Sequence, residues 1–167
     1  MSSILPDIPA VNKYYLLPGS IFCTREPYVI DTILGSCVSV FLWDQVLHFG
    51  CVNHYMLPES NDSTSSFKYG DIAIPEIIKR MKAFGSDDAN IKAKVFGGSE
   101  IGDLQGAFNI GERNVALAKK LLQKEKIAII SSSLGGQRGR KIVFHTATGD
   151  VFIKYIRSTV MERKNIY

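Results

Sequence analysis

The segment Val38-Ser39-Val40-Phe41-Leu42-Trp43 restricts the fold of this chain more than any other. It is short and rich in β-branched and aromatic residues, so it reads as a buried strand rather than a helix. Asp44 to His48 follows as a turn, and Phe49-Gly50-Cys51-Val52-Asn53-His54-Tyr55-Met56 returns as a second strand. Pro58 ends it, because proline has no N–H to donate to a ladder.

The flanking segments divide in the same way. Residues 1–14 form an N-terminal arm. Ile21 to Ile33 predicts short strands broken at Arg25-Glu26-Pro27, and Asn61 to Ser66 is a polar loop. Pro75 to Phe84 predicts a helix with Ile77, Ile78, Met81 and Phe84 on one face; proline is tolerated in a first turn. Ile91 to Phe96 alternates apolar and charged residues, as a half-exposed strand does, and ends at Gly97-Gly98. Gly111 to Lys124 predicts a second helix with Val115, Ala118, Leu121 and Leu122 inward. Ile127 to Ile130 reads as a buried strand. Lys141–Thr146 and Val151–Ile156 read as a hairpin around Ala147-Thr148-Gly149-Asp150. Strands outnumber helices without a regular βαβ alternation. The expectation is one α+β domain over residues 15–160 with mixed sheets, followed by a tail at 161–167.

Composition narrows the class. A chain of 167 residues, 46% of them hydrophobic, suits one domain with a real core. A charged fraction of 22% excludes disorder and coiled coil as whole-chain readings. No apolar run approaches the roughly 18 residues of a membrane span. The first residues carry no basic stretch followed by an apolar one, so a cytoplasmic home and no membrane insertion are expected. A net charge of +4 is too mild for a nucleic-acid binder. From Arg138 to Lys164 there are seven basic residues against two acidic, which suits either a solvated surface or a docking face for an acidic partner. Three cysteines are an odd number, so no disulfide framework is expected and a reducing compartment fits better.

Chemistry concentrates at Leu34-Gly35-Ser36-Cys37, a tight loop feeding the first buried strand. Gly35 and Ser36 leave room for a substrate beside the sulfur, and N–H groups in such a turn can face a developing oxyanion. If residues 38–43 and 49–55 pair as a hairpin, Cys37 and His54 come close together. The expected consequence is a thiol whose pKa the histidine lowers. Asp31 or Thr32 is placed to orient His54. Gly97 and Gly98 are candidates for a loop along which a substrate backbone lies. Cys51-Val52-Asn53-His54 has a metal-like spacing. On a strand, however, residues three apart face opposite sides, so no metal site is expected, and Cys23 and Cys51 read as core residues.

Leu34-Gly35-Ser36-Cys37-Val38-Ser39-Val40 and Gly50-Cys51-Val52-Asn53-His54-Tyr55-Met56-Leu57-Pro58 together resemble the signature of the bacterial chemotaxis family CheD. The resemblance continues through Lys94-Val95-Phe96-Gly97-Gly98, Ile110-Gly111-Glu112-Arg113-Asn114, Gly135-Gly136, Gly139-Arg140-Lys141 and Thr148-Gly149-Asp150-Val151. It implies a chemoreceptor glutamine deamidase working through a cysteine thioester without a cofactor. It also implies the three-layer α/β/β fold of the cytotoxic necrotizing factor deamidases. Methyl-accepting chemotaxis receptors are the implied substrates, and a CheC-type phosphatase the implied second partner. The family nucleophile falls on Cys37 and its histidine on His54. The family's threonine falls on Asp31, with Thr32 one step later. The alternative is a non-catalytic adaptor binding receptor or CheC.

Overall fold

A computed structural model describes residues 11–61, 65–101 and 108–157. Nine strands are described: β1 (Asn12–Tyr15), β2 (Ile21–Thr24), β3 (Tyr28–Leu34), β4 (Val38–Asp44), β5 (Phe49–Asn53), β6 (Ile91–Gly97), β7 (Ile129–Leu134), β8 (Arg140–His145) and β9 (Val151–Tyr155). The α-helices among the described residues are α1 (Gly70–Ala83) and α2 (Ile110–Lys124). A five-stranded sheet runs β2-β5-β4-β6-β7 and a four-stranded sheet β1-β3-β8-β9. Both are mixed, because β6–β7 and β1–β3 pair parallel while their other ladders are antiparallel. The expected α+β domain with mixed sheets is what the structure shows.

The period-two alternation of β4 explains the layering. Val38, Val40 and Leu42 enter one apolar cluster with Ala73, Ile74, Ile77 and Met81 of α1 and Leu117, Ala118 and Leu122 of α2. Phe41 points the other way, into a second cluster with Val52, Phe96, Ile30, Leu34, Ile142 and Phe144. The five-stranded sheet therefore lies between the helices and the four-stranded sheet. Both faces of β4 and β5 are covered, and this is why those two segments are so apolar.

Several elements differ from expectation. Helix α1 begins five residues before Pro75, because Gly70 is wedged against Tyr55 and Leu117: a Cβ there would lie 2.7 Å from each side chain. Its N–H also donates to Leu57 O at 2.8 Å. These tertiary contacts outweigh the local proline signal. In α2 the buried positions are Gly111, Asn114, Leu117, Ala118 and Leu122, so the inward face is rotated from the apolar stripe and includes an asparagine. The expected buried strand at Ile127–Ile130 is a correction. Ile127 is a buried loop residue, while β7 starts at Ile129, runs through three serines and is largely exposed as an edge strand. Strand β1 spans the expected boundary between arm and domain. The expected tail at 161–167, the first ten residues and the middle of the 61–66 loop lie outside the described residues.

Cys23 and Cys51 are register partners across the β2–β5 ladder, with Cα atoms 4.1 Å apart and their sulfurs joined in a disulfide. This corrects the expectation that no cysteine pairs. Both still pack with the helix-side cluster, as core residues. Cys37 is the free cysteine.

Candidate active site

The register of β4 against β5 creates the site. Val38, the first residue of β4, and Tyr55, two residues past β5, exchange two backbone hydrogen bonds, of 3.1 and 3.0 Å. Both side chains belong to the helix-side cluster. Their preceding neighbours, Cys37 and His54, must therefore face the other way, toward the four-stranded sheet, as a diagonal pair two residues out of register with each other. Cys37 is half-buried against the inter-sheet cluster and His54 is almost fully buried. Cys51 lies in the helix-side cluster, on the opposite face from His54. Among the described residues, no group of three His, Cys, Asp or Glu side chains could hold a metal ion.

Strand β3 brings the third group. Its inward residues are Ile30, Thr32 and Leu34, and Thr32 Oγ1 lies 2.8 Å from His54 Nδ1. The same hydroxyl donates to Leu16 O at 2.9 Å. A hydroxyl has one proton to give, so toward the imidazole Thr32 accepts. That places the proton on Nδ1 and leaves Nε2 as the free base. Asp31 is on the outward face, 3.5 Å from Lys141 Nζ, and does not reach the imidazole. Alternation along β3 thus separates the two candidates that the sequence left open.

The loop before Cys37 is anchored through three successive carbonyls. Gly35 O accepts from Ser99 N at 3.0 Å, Ser36 O from Asn114 Nδ2 at 3.0 Å, and Cys37 O from Gly98 N at 2.9 Å. In a planar trans peptide the N–H points opposite to the preceding carbonyl. Anchoring the carbonyls of Gly35 and Ser36 inward therefore turns the N–H groups of Ser36 and Cys37 away from those anchors.

Gly97 and Gly98 are placed differently from the expectation of an open substrate path. Both are buried with positive φ, and the room left by their missing side chains is filled by this chain itself. A Cβ on Gly97 would strike Cys37 O, and one on Gly98 would strike Val115 and lie 2.9 Å from Gly111 O. The pair backs the nucleophile loop and seats the first turn of α2. Arg140 supports the same corner: its guanidinium is buried and donates to Ser133 O, to Gly135 O and, at 3.0 Å, to Ser99 Oγ.

Burial sets the electrostatics. It pushes the Cys37 thiol up, against the stabilising effect of its own N–H. It pulls His54 down to about 4, against the Leu16 carbonyl, which favours the charged ring. The expected lowering of the thiol pKa is thus reversed. The pair is thiol and neutral imidazole at neutral pH, an arrangement suited to general-base activation rather than a standing thiolate.

The family model described as CheD chemotactic sensory transduction matches residues 56–155. This chain belongs to the CheD family. A Sulfurimonas denitrificans relative, named "Probable chemoreceptor glutamine deamidase CheD", is 40% identical over 89% of this chain and 97% of its own length. A Trichlorobacter lovleyi relative with the same name is 41% identical, covering 88% of this chain and 92% of that protein. The family-model match starts at Met56, just past His54. No helix among the described residues of this CheD chain is long and apolar enough to cross a membrane.

Proposed function

We propose that this CheD chain is a chemoreceptor glutamine deamidase. It converts glutamine side chains of methyl-accepting chemotaxis receptors to glutamate in the cytoplasm, with Cys37 as nucleophile. The observation that carries the reading is the Thr32–His54 contact on the same face as Cys37, in a chain whose relatives bear the deamidase name. The likeness of the layering to the cytotoxic necrotizing factor deamidases belongs to the same proposal.

The reaction follows from the site. The Cys37 sulfur attacks the carboxamide carbon while His54 Nε2 takes the thiol proton. The oxyanion forms against the N–H groups of Ser36 and Cys37, beside Gly35. The imidazolium returns its proton to the nitrogen as the C–N bond breaks, releasing ammonia and leaving a thioester. Water attacks the thioester and gives a proton to His54. The C–S bond then breaks, the proton returns to sulfur, and a glutamate side chain departs. Thr32 holds the imidazole in the tautomer both halves need. Gly97 and Gly98 act by backing the loop.

The test is ammonia release from a receptor cytoplasmic fragment, with the gain of about 1 Da at glutamine that amide-to-acid exchange brings. Cys37→Ala should abolish both; undiminished ammonia from this variant would sink the catalytic reading. The raised Cys37 thiol favours a second reading, an adaptor that binds receptor or a CheC-type phosphatase without chemistry. In that case Cys37→Ala would leave receptor affinity and signalling unchanged.

A further inference from the structure

We infer that Asn114 is a positioning residue for the deamidation, a clamp that fixes the spacing of Cys37 and His54. The inference rests on the reading of those two residues as nucleophile and base. Asn114 lies in the first turns of α2, on its buried face, and is fully inaccessible. Its Nδ2 donates to two carbonyls, Ser36 O and Met56 O, each at 3.0 Å. Ser36 immediately precedes Cys37, and Met56 lies two residues past His54. One amide nitrogen therefore joins the segment carrying the nucleophile to the segment carrying the base, just where the β4–β5 ladder runs out.

The chemistry of the group fits the position. An amide nitrogen carries two protons, and both are used, one for each segment. Aspartate has the same shape but, when ionised, only accepts, so it would set a charge against two carbonyl oxygens. Tyr55 Oη also donates to the backbone Asn114 O at 2.5 Å, a contact separate from the amide bridge. A Cβ on Gly111 would also lie 2.5 Å from Gly98 O, so the α2 backbone sits directly on the Gly97-Gly98 corner. Packing alone does not call for an amide here: the adjacent positions of the same face are Leu117, Ala118 and Leu122.

The experiment measures ammonia release from a receptor fragment by the full chain and its Asn114→Asp and Asn114→Ala variants, with thermal melts on each. Loss of the clamp should lower kcat by about 100-fold, the scale of a misplacement near 1 Å, with KM within about twofold, since Asn114 touches no substrate. Tyr55→Phe keeps the amide bridge and should lower the melting temperature while kcat changes far less. If both Asn114 variants melt early yet keep kcat, Asn114 is packing only and the inference is overturned. If Asn114→Ala does not fold, the isosteric Asn114→Asp decides: retained kcat refutes the clamp, and lost kcat with unchanged KM supports it. Cys37→Ala is run alongside. Activity in that variant would refute the site assignment itself, an outcome distinct from retained activity in the Asn114 variants alone.

Discussion

Thr32 Oγ1 stands 2.8 Å from His54 Nδ1 and hands its own proton to Leu16 O. The tautomer of His54 is thereby decided by a backbone carbonyl one residue past β1.

Removing that acceptor should disorient the base. Thr32→Val keeps the shape and deletes the hydroxyl, and kcat should fall about 10- to 100-fold, part of the 10²–10⁴ that a placed general base supplies. Asp31→Asn should leave kcat within about twofold, since Asp31 faces Lys141 on the outer surface. Steady-state ammonia assays on the two variants check both halves. Equal losses would mean that the division along β3 does not govern the base.

Stability should fall in mild acid because of His54. Its folded pKa of about 4 lies below the ordinary value of 6.5. Between these values the unfolded chain binds the proton more readily, so stability rises with pH there and is fully regained only above about 6.5. From this group alone the protein should be about 2 kcal/mol less stable at pH 5 than at pH 7. Urea titrations at the two pH values, repeated with His54→Gln, measure it; the variant should lose most of the difference.

Gly98→Ala should damage fold and catalysis together. The position has φ +72°, and a Cβ would press on Val115 and on Gly111 O. The cost should be about 3 kcal/mol, the upper end for a strained backbone position. The shift should also disturb the Gly98 N–H bond to Cys37 O, so kcat should drop in whatever fraction stays folded. Gly135→Ala is the contrast: φ is similar, yet no atom lies within 4 Å of the added carbon. It should cost only the strain and leave kcat nearly unchanged.

The cysteines should titrate unequally. Denatured without reductant, the chain should show one thiol, from Cys37, and after reduction three. Opening the Cys23–Cys51 link, which spans a sequence separation of 28, should lower stability by about 3.6 kcal/mol on a loop-entropy scale. It should leave kcat untouched, because Cys51 faces the helices and Cys37 the other sheet.

The strands were legible because their alternation is local. Val38–Trp43 and the returning Phe49 segment announce a hairpin, and the hairpin alone brings Cys37 and His54 to one face. What neighbouring strands add was not legible. Whether Asp31 or Thr32 turns inward depends on how β3 registers against β8, where Thr32 stands opposite Ile142, and no local pattern states that pairing. The link between Cys23 and Cys51 depends in the same way on the β2–β5 register. The signal for Asn114 in the sequence is faint: a polar residue four positions before Ala118, on a helix face otherwise apolar. The early start of α1 needed knowledge of Tyr55 and Leu117, which only the folded chain supplies. The thiol's raised pKa follows from burial, and depth is a property of the assembled layers rather than of the Gly35-Ser36-Cys37 string.

The three tethered carbonyls of Gly35, Ser36 and Cys37 answer to two parts of the molecule: the consecutive N–H groups of Gly98 and Ser99 hold the outer two, and the Asn114 side chain of α2 holds the middle one. A segment moored at every one of its carbonyls has little freedom to adapt to its visitor. For the proposed deamidation, the burden of adjustment then falls on the receptor, which must bring its glutamine to a fixed landing place. Discrimination among glutamines becomes a question of which of them can approach without bending the enzyme.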